Sequence, residues 1–171
     1  MTRTPWQILG HLLMPGWRVR RVFPRAVLAR IEAAVAASEV RHGGQIRFVV
    51  EGALGVLPLF RGHSARDRAR QVFAGLGVWD TRDNNGVLIY LLLADRDVEI
   101  LADRGFNGKV DGVQWEAVCQ EMEGHFRAGR FEAGALAGIA RVDTLLARHF
   151  PRGPGGQGSA GNELPDAPAL L

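Results

Sequence analysis

The sequence predicts an α/β fold, and more specifically a three-layer α/β/α sandwich built on a mixed sheet. Helix and strand patterns alternate along the chain. Residues 86–94 are apolar at every position but the opening glycine, which is typical of a central strand buried on both faces. A strand, helix, strand order precedes a tight turn at residues 95–97, so we expect a parallel strand pair plus an antiparallel hairpin strand. Helices must then cover both faces of this sheet.

Length and composition predict one domain with two flanking segments. The chain has 171 residues, of which 47% are hydrophobic, an ordinary fraction for a globular protein and too high for a disordered one. We place an N-terminal arm at residues 1–22 and the α/β domain at residues 23–150. Residues 151–171 are rich in Gly and Pro and are predicted to be a disordered tail.

The first half of the domain reads as helix, strand and loop. Pro24 suits the first turn of a helix, and apolar residues then recur at helical spacing to about Val40. Gly43 and Gly44 end that helix. Residues 45–51 alternate as a strand, and the Gly- and Pro-containing residues 52–62 are predicted to be a loop.

The second half supplies the remaining helices and strands. Ser64 and Asp67 have the spacing of a helix-starting capping box, and Gly77 ends the helix that follows. A polar connection, residues 78–85, leads into strand 86–94, and strand 98–103 returns beside it. Two amphipathic helices, at residues 113–126 and 129–150, complete the domain.

The N-terminal arm holds the excess positive charge of the chain. The formal net charge is +3, and six arginines precede the first acidic residue, Glu32. The basic isoelectric point therefore describes the arm and not the domain, so we predict no nucleic-acid binding. The arm also carries an apolar patch near Trp6 and Trp17. It is predicted either to contact a membrane surface as an amphipathic helix or to be an unattached extension.

Sequence patterns predict a cytoplasmic protein, peripheral to the membrane where the arm touches it. No apolar run reaches the roughly 20 residues of a membrane span. Most of the positive charge follows the N-terminal apolar patch, whereas a signal peptide carries its positive charge before the apolar part. Cys119 is the only cysteine, so an intrachain disulfide and a multi-cysteine metal site are excluded. We expect it to be a small core residue, and we expect all five histidines to be surface or capping residues.

Oxygen-bearing side chains are predicted to meet at one end of the sheet. Because strand 98–103 runs antiparallel, it ends at Asp103, beside the start of strand 86–94. The preceding loop supplies further oxygens, from Asp80, Asp83, Asn84 and Asn85. Carboxylate and amide oxygens suit calcium or magnesium better than zinc or copper. The alternative is a plain turn, because Asp and Asn favour turns for local reasons.

The remaining polar residues give weaker signals. Glu51, Asp95 and Asp97 should lie at the opposite end of the sheet. Arg104 could hold an anion or form a structural ion pair, and Trp79 could stack on a ligand or lie at the rim of the core. The chain has no glycine-rich dinucleotide or phosphate-loop signature and no nucleophile-elbow motif, so we predict no organic cofactor.

Five phrases of the sequence resemble the TPM domain family. They are Ala-Arg-Gln-Val-Phe at 69–73, Gly-Val-Trp-Asp at 77–80, Asn-Asn-Gly-Val-Leu-Ile at 84–89, Ile-Leu-Ala-Asp-Arg-Gly-Phe at 100–106 and Phe-Arg-Ala-Gly-Arg-Phe-Glu-Ala-Gly at 126–134. The resemblance covers about residues 24–150 and implies the same α/β/α sandwich. This sequence departs from the family pattern at residues 103–108, where the family commonly has Gly-x-Gly. It also shows no evident signal peptide or transmembrane tail, which family members usually or often have.

The resemblance also implies functions. Members include thylakoid-lumen proteins linked to photosystem II repair with weak acid phosphatase activity, and bacterial members have been associated with calcium binding. By motif, the implied metal-site residues are Asp80, Asp83, Asn84 and Asp103. Three hypotheses follow: a calcium- or magnesium-binding interaction domain with an unidentified protein partner, a metal-assisted phosphatase, or an interaction scaffold that binds no metal.

Overall fold

The computed structural model describes residues 11, 14–55, 62–152 and 162–171. Within them the chain forms five α-helices, four strands and one short 3-10 helix. In chain order these are α1 (Gly16–Val22), α2 (Arg25–Glu39), β1 (Gln45–Glu51), α3 (Ala65–Gly75), β2 (Gly86–Leu92), β3 (Asp97–Ala102), the 3-10 helix (Arg104–Phe106), α4 (Gly112–Arg127), α5 (Phe131–His149) and β4 (Ala169–Leu170).

The four strands form one mixed sheet in the order β3-β2-β1-β4. Strands β1 and β2 are parallel from the Gln45–Gly86 pair onwards, and β3 is antiparallel to β2. The predicted parallel pair and hairpin strand are therefore confirmed. All seven residues of β2 are buried, because β2 has a neighbour on each side and helices on each face.

Two hydrophobic clusters, one on each face of the sheet, form the core. The larger cluster joins β1, β2 and β3 to α2, α4 and α5, with Phe48, Met122 and Phe126 fully enclosed. The smaller cluster joins the other face of the sheet to α3 and includes Tyr90. The alternation of side chains along each strand sends neighbours to opposite clusters. The α/β/α sandwich is thus confirmed.

Local sequence signals place two helix starts accurately. At the start of α3, the Ser64 hydroxyl accepts a hydrogen bond from the Asp67 N–H, and the Asp67 carboxylate accepts one from the Ser64 N–H, both at 3.1 Å. Asp111 and Gln114 make the same reciprocal pair at the start of α4. Such pairs satisfy N–H groups that the first turn of a helix leaves unbonded.

The prediction of a disordered tail is wrong for residues 162–171. These residues pack on the domain and end in β4, which is parallel to β1 at Val49 and Val50. Leu164 is 5% exposed and belongs to the smaller core cluster. Composition explains the error: residues 153–161 contain five glycines, whereas residues 162–171 contain three leucines and no glycine. Residues 153–161 lie outside the described part of the chain.

The described residues of the N-terminal arm also pack on the domain. Val19 of α1 and Phe23, which follows it, are buried. The His11 ring is fully enclosed: its Nδ1 accepts from the Leu54 N–H at 3.1 Å, so its Nε2 donates to Asp95 at 3.0 Å. The prediction that every histidine lies at the surface or at a cap is therefore wrong for His11, and it is also wrong for His42, which is fully buried.

The exposed side of α1 still carries the charge and aromatic surface that the sequence predicts. Trp17 is 58% exposed and lies among the exposed Arg18, Arg20 and Arg21. Most of the apolar patch, including Trp6, falls in residues 1–10 and 12–13, outside the described residues. Among the helices described here, none combines the length and apolar character needed to cross a membrane.

Candidate functional site

The loop that enters β2 meets the turn that leaves β3 at one end of the sheet. The Asp103 N–H donates to the Gly86 carbonyl at 2.9 Å, which extends the β2–β3 pairing by one residue. The Gly105 N–H then donates to the Asn84 carbonyl, also at 2.9 Å. The structure thus brings residues 78–85 against the Asp103 turn, as the topology predicts.

Gly105 sets how closely the two segments approach. A β-carbon at this position would collide with the backbone carbonyl oxygens of Asp83 and Asn84. Any other residue would therefore push the loop away from the turn. Asn84 itself has a φ of 51°, in the left-handed region that Asn tolerates better than most residues.

The four predicted metal ligands have different surroundings. The carboxylates of Asp80 and Asp83 are exposed, and neither has a hydrogen bond or ion pair with the described residues. The Asn84 side-chain oxygen accepts a hydrogen bond from Arg104 Nε at 2.7 Å. Asp103 Oδ1 accepts from the Arg104 N–H at 2.7 Å, whereas Asp103 Oδ2 is buried and has no protein partner.

Asn85, the fifth member of the predicted cluster, holds the base of the loop. It is fully buried, and its side-chain amide donates to the Gly43 carbonyl at 2.9 Å. Its backbone N–H donates to the Thr81 hydroxyl at 3.0 Å. Thr81 is the only hydroxyl residue in 78–85 and is itself buried, so the loop presents no exposed hydroxyl.

These residues fit a divalent cation only in part. In the part of the chain that the structure describes, no three His, Cys, Asp or Glu side chains are arranged to hold a metal ion. The positive Arg104 guanidinium already bonds the Asn84 oxygen. What favours a cation is the buried, unpartnered Asp103 Oδ2, because a buried carboxylate oxygen without a donor is unfavourable.

A cavity of about 460 Å³ lies beside Asp103, between β3 and the start of α4. Ala102, Phe106, Trp115 and Cys119 contribute to its wall. Burial raises the pKa of the Cys119 thiol to about 12, so the thiol stays protonated at neutral pH. This agrees with the prediction that Cys119 is a core residue.

The opposite end of the sheet holds a separate buried network. The Tyr90 hydroxyl donates to Glu51 Oε2 at 2.8 Å, and Arg68 Nε donates to the same oxygen at 2.8 Å. Burial, followed by the nearby Glu51 charge, raises the pKa of Tyr90. Glu51 is therefore tied into an internal ion pair and lies far along β1 from the Asp103 turn.

Two residues that the sequence marked as ambiguous now have partners. Arg104 bonds a neutral amide oxygen, so among the described residues it does not form the predicted ion pair, and its predicted role in holding an anion stays a prediction. Trp79 is 53% exposed, and its ring N–H donates to the Ala74 carbonyl at 3.3 Å. The Arg104–Asn84 contact had no sequence signal, because it depends on the close approach that Gly105 permits.

Comparison with known proteins supports the fold and its family. The family model for the TPM domain matches residues 20–145. The NMR structure of the BA42 protein from the psychrophilic bacterium Bizionia argentinensis is similar, with a TM-score of 0.72 and 27% identity over 85% of this chain and 93% of that one. The solution NMR structure of the N-terminal domain of a protein from P. gingivalis is also similar in fold, with a TM-score of 0.60 and 22% identity over 76% of this chain and 82% of that one. No protein with a curated description matches the sequence.

Proposed function

The chain belongs to the TPM domain family, and we propose that it acts as an interaction domain whose acidic turn binds calcium or magnesium. The observation that supports a cation is Asp103 Oδ2, a carboxylate oxygen buried without a partner at the loop–turn junction. Asp83 and Asp80 supply exposed carboxylates on the same loop. Water would complete the coordination, as it does in weak sites for these ions.

A bound cation would hold the loop of residues 78–85 in a fixed position against the Asp103 turn. Residues 78–85 are held against the turn chiefly by the Gly105–Asn84 hydrogen bond and the Arg104 contact. A cation bonded to Asp103 and to a loop carboxylate would add a charge-based link between the two segments. The loop surface, including the exposed Trp79, would then be presented to a protein partner in one conformation.

A specific observation also favours the alternative of a scaffold that binds no metal. Arg104 places a permanent positive charge at the junction and bonds Asn84, one of the four predicted ligands. In this alternative the guanidinium, and not a cation, links the loop to the Asp103 turn. Both alternatives predict an ordered loop, so the response to added cation separates them.

Thermal unfolding of the full chain with calcium, magnesium or chelator tests the proposal. A ligand at about 100 times its dissociation constant adds about 2.7 kcal/mol, which is a rise of several degrees for a chain of this size. We expect that rise in the wild type and its loss in Asp103→Asn and Asp83→Asn. Glu121→Gln, an exposed acidic residue on α4, is the matched control and should keep the rise.

The outcomes separate three functions. A flat response to millimolar calcium and magnesium would contradict the cation proposal and favour the scaffold held by Arg104. Hydrolysis of a phosphate ester by repurified protein, lost in Asp103→Asn but kept in Glu121→Gln, would instead identify the phosphatase that the family resemblance implies. Cation-dependent stability without hydrolysis supports the interaction domain.

The exposed surface of α1 supports a second kind of partner, an anionic membrane surface. Trp17 and three neighbouring arginines project from α1, which combines an interfacial aromatic with positive charge. We expect the full chain to sediment with vesicles containing phosphatidylserine and not with neutral vesicles. Trp17→Ala should weaken binding, whereas Trp79→Ala, a similarly exposed tryptophan elsewhere, should not. Equal binding of both variants would contradict this contact.

A further inference from the structure

The outer edge of β1 is covered by residues 162–171, here called the tail segment. The family match ends at residue 145, so the tail segment lies outside the matched domain. Without it, β1 would present its backbone N–H and carbonyl groups on the side away from β2. An open strand edge of this kind is a common site for binding an extended peptide by strand addition.

Domain side chains bind the main chain of the tail segment. Arg47 Nη1 donates to the carbonyls of Pro165 and Ala167, at 2.7 and 2.5 Å. The Gln45 side-chain oxygen accepts from two successive backbone N–H groups, those of Glu163 and Leu164, at 2.8 and 3.0 Å. Contacts to peptide backbone are the way a domain holds an extended ligand without requiring much of its sequence.

Backbone pairing completes the contact at the other end of the tail segment. The Leu171 N–H donates to the Val50 carbonyl at 2.9 Å, and the Gly52 N–H donates to the Leu171 carbonyl at 3.4 Å. Strand β4 is only two residues long. The pairing is therefore short, and side chains of the domain carry the rest of the contact.

One apolar side chain anchors the tail segment. Leu164 is 5% exposed and packs in the smaller core cluster with Val49, Val78 and Leu88. Ala169 and Leu170 are only half-buried. A single buried leucine followed by proline, between two sets of backbone contacts, is the pattern of an anchored extended ligand rather than of an amphipathic core strand.

The contact also includes two acidic groups close together. Glu39, at the end of α2, is 6% exposed, and its carboxyl lies beside that of Asp166 in the tail segment. Arg152 contributes an opposing positive charge, and the Ile46 N–H donates to Glu39. Two neighbouring carboxyl groups oppose docking when both are ionised, so the contact is weakened by its own charges.

We propose that the β1 edge is a docking site for an extended, leucine-anchored peptide segment of a partner protein, and that the tail segment occupies it as an internal competitor. The site buries a leucine side chain beside Val49 and pairs a short parallel strand with Val50. The Gln45 side chain accepts from two backbone N–H groups of the bound peptide, and the Arg47 side chain donates to two of its backbone carbonyls. The tail segment shows the chemistry required of a partner: an acidic residue, leucine and proline, followed by a short apolar strand. The inference specifies the interaction role proposed above and requires no bound cation, although the tail segment also contacts the loop of residues 78–85, where the Arg82 N–H donates to the Glu163 carboxylate at 2.9 Å.

The test uses the complete chain with a specific protease site introduced within residues 153–161. After cleavage of the folded protein, the tail segment is held only by its own contacts. A fluorescein-labelled peptide of residues 162–171 is then titrated in chelator, and its fluorescence anisotropy is measured. Because the assay contains no free divalent cation, its failure and the failure of the cation proposal are separate results.

We expect the labelled peptide to bind the cleaved chain and to bind the uncleaved chain at least 10-fold more weakly. The reason is that an attached segment competes at an effective concentration of about 1 mM. A peptide with the Leu164→Asp change should bind the cleaved chain at least 10-fold more weakly, and this control leaves the protein untouched. Gln45→Ala should weaken binding, whereas Arg66→Ala, at the opposite sheet edge, should not.

Three results would overturn the proposal. In the first, the cleaved chain unfolds or precipitates when the tail segment leaves, which would make β4 an integral strand. In the second, the cleaved chain keeps its segment and takes up no labelled peptide during hours of incubation. In the third, the cleaved chain forms dimers that retain both segments, which would assign the edge to a second copy of this chain.

Discussion

Strands β3 and β1 each have one side that faces away from β2, and the chain covers these two sides by different means. On β3, side chains of the flanking helices do so: Arg66 donates to the Ile100 carbonyl at 2.8 Å, and the Val98 N–H donates to Glu123 at 3.3 Å. On β1, the tail segment does so with its backbone. The residues that cover β3 lie within the family match, whereas the tail segment lies outside it.

This difference shows which edge is available for binding. Covering an edge with side chains leaves no room for an added strand and prevents aggregation through that edge. Covering an edge with a segment that can leave also prevents aggregation, but it allows another peptide to take the place of that segment. The two edges should therefore respond differently to mutation, and the predictions that follow are ordered from the largest expected effect to the smallest.

Substitutions in β3 should lower stability in proportion to the volume removed. Ile100 is 3% exposed in the larger core cluster. We expect Ile100→Val to cost about 1 kcal/mol of unfolding free energy and Ile100→Ala about 2–5 kcal/mol, because the cavity grows. Urea denaturation measures both. A smaller loss for Ile100→Ala than for Leu164→Ala would contradict the distinction between the edges.

Substitutions in the tail segment should lower the unfolding free energy only up to a fixed limit. Once the tail segment no longer docks, a more disruptive substitution in it cannot lower the unfolding free energy further, because unfolding then starts from the undocked chain. Leu164→Ala and Leu164→Asp should therefore both lower the unfolding free energy by about 2–3 kcal/mol, the value for an effective concentration about 100 times the dissociation constant. Urea denaturation of the two variants provides the comparison. A much larger loss for Leu164→Asp would show that the segment is integral.

Glu39 should make stability depend on pH. Burial, and then the Asp166 charge, raises the pKa of the Glu39 carboxyl from 4.5 to about 7. The folded chain therefore binds this proton more tightly than the unfolded chain does. As pH rises from about 4.5 to 7, the contribution of this group to stability falls, by an amount on the order of 3 kcal/mol, and above pH 7 it stays constant.

The variant Glu39→Gln isolates that contribution. It removes the titrating group and keeps a side chain of similar size, so the difference from wild type should vanish at low pH and grow towards pH 7. Urea denaturation at pH 5, 6, 7 and 8 measures it. A difference that stays constant across this range would show that folding does not raise the pKa of Glu39.

Local sequence patterns predicted the sheet and its helices because those elements rest on local signals. The apolar run at 86–94 required burial on both faces, and the Ser64–Asp67 pair marked a helix start, as found. The tail segment was missed because the composition of residues 151–171, as one stretch, is dominated by the glycines of residues 153–161. The leucines at 164, 170 and 171 were the available signal, but a two-residue strand gives no period to detect.

The candidate site was predictable in place but not in detail. Strand direction was enough to put Asp103 beside the loop before β2. The role of Arg104 was not predictable, because its bond to Asn84 depends on the backbone approach at Gly105 and on the left-handed conformation of Asn84. The Glu39–Asp166 proximity joins residues that are far apart in sequence and have no common motif.

The smallest effects should come from the arginines that bind carbonyls at the two edges. Arg66→Ala removes the guanidinium that donates to the Ile100 carbonyl. Arg47→Ala removes the guanidinium that donates to the carbonyls of Pro165 and Ala167. Because the carbonyls can then bond water, we expect losses of only about 1 kcal/mol in each variant. Amide hydrogen exchange distinguishes the two. Arg47→Ala should speed exchange at the Leu171 N–H, whose partner is Val50, and leave Val98 unchanged.

Arg66→Ala should leave exchange at Leu171 unchanged, because the hydrogen bonds of Arg66 within the described residues go to Glu99 and Ile100 on β3. If Arg47→Ala instead accelerated exchange at Val98 and Leu171 equally, the two edges would open together in one unfolding step. The tail segment would then have no independent undocking, and the β1 edge would be no more accessible to a partner than the edge of β3. Faster exchange at Leu171 alone would mean that the tail segment leaves while β3 stays covered, which is the behaviour that binding in trans requires.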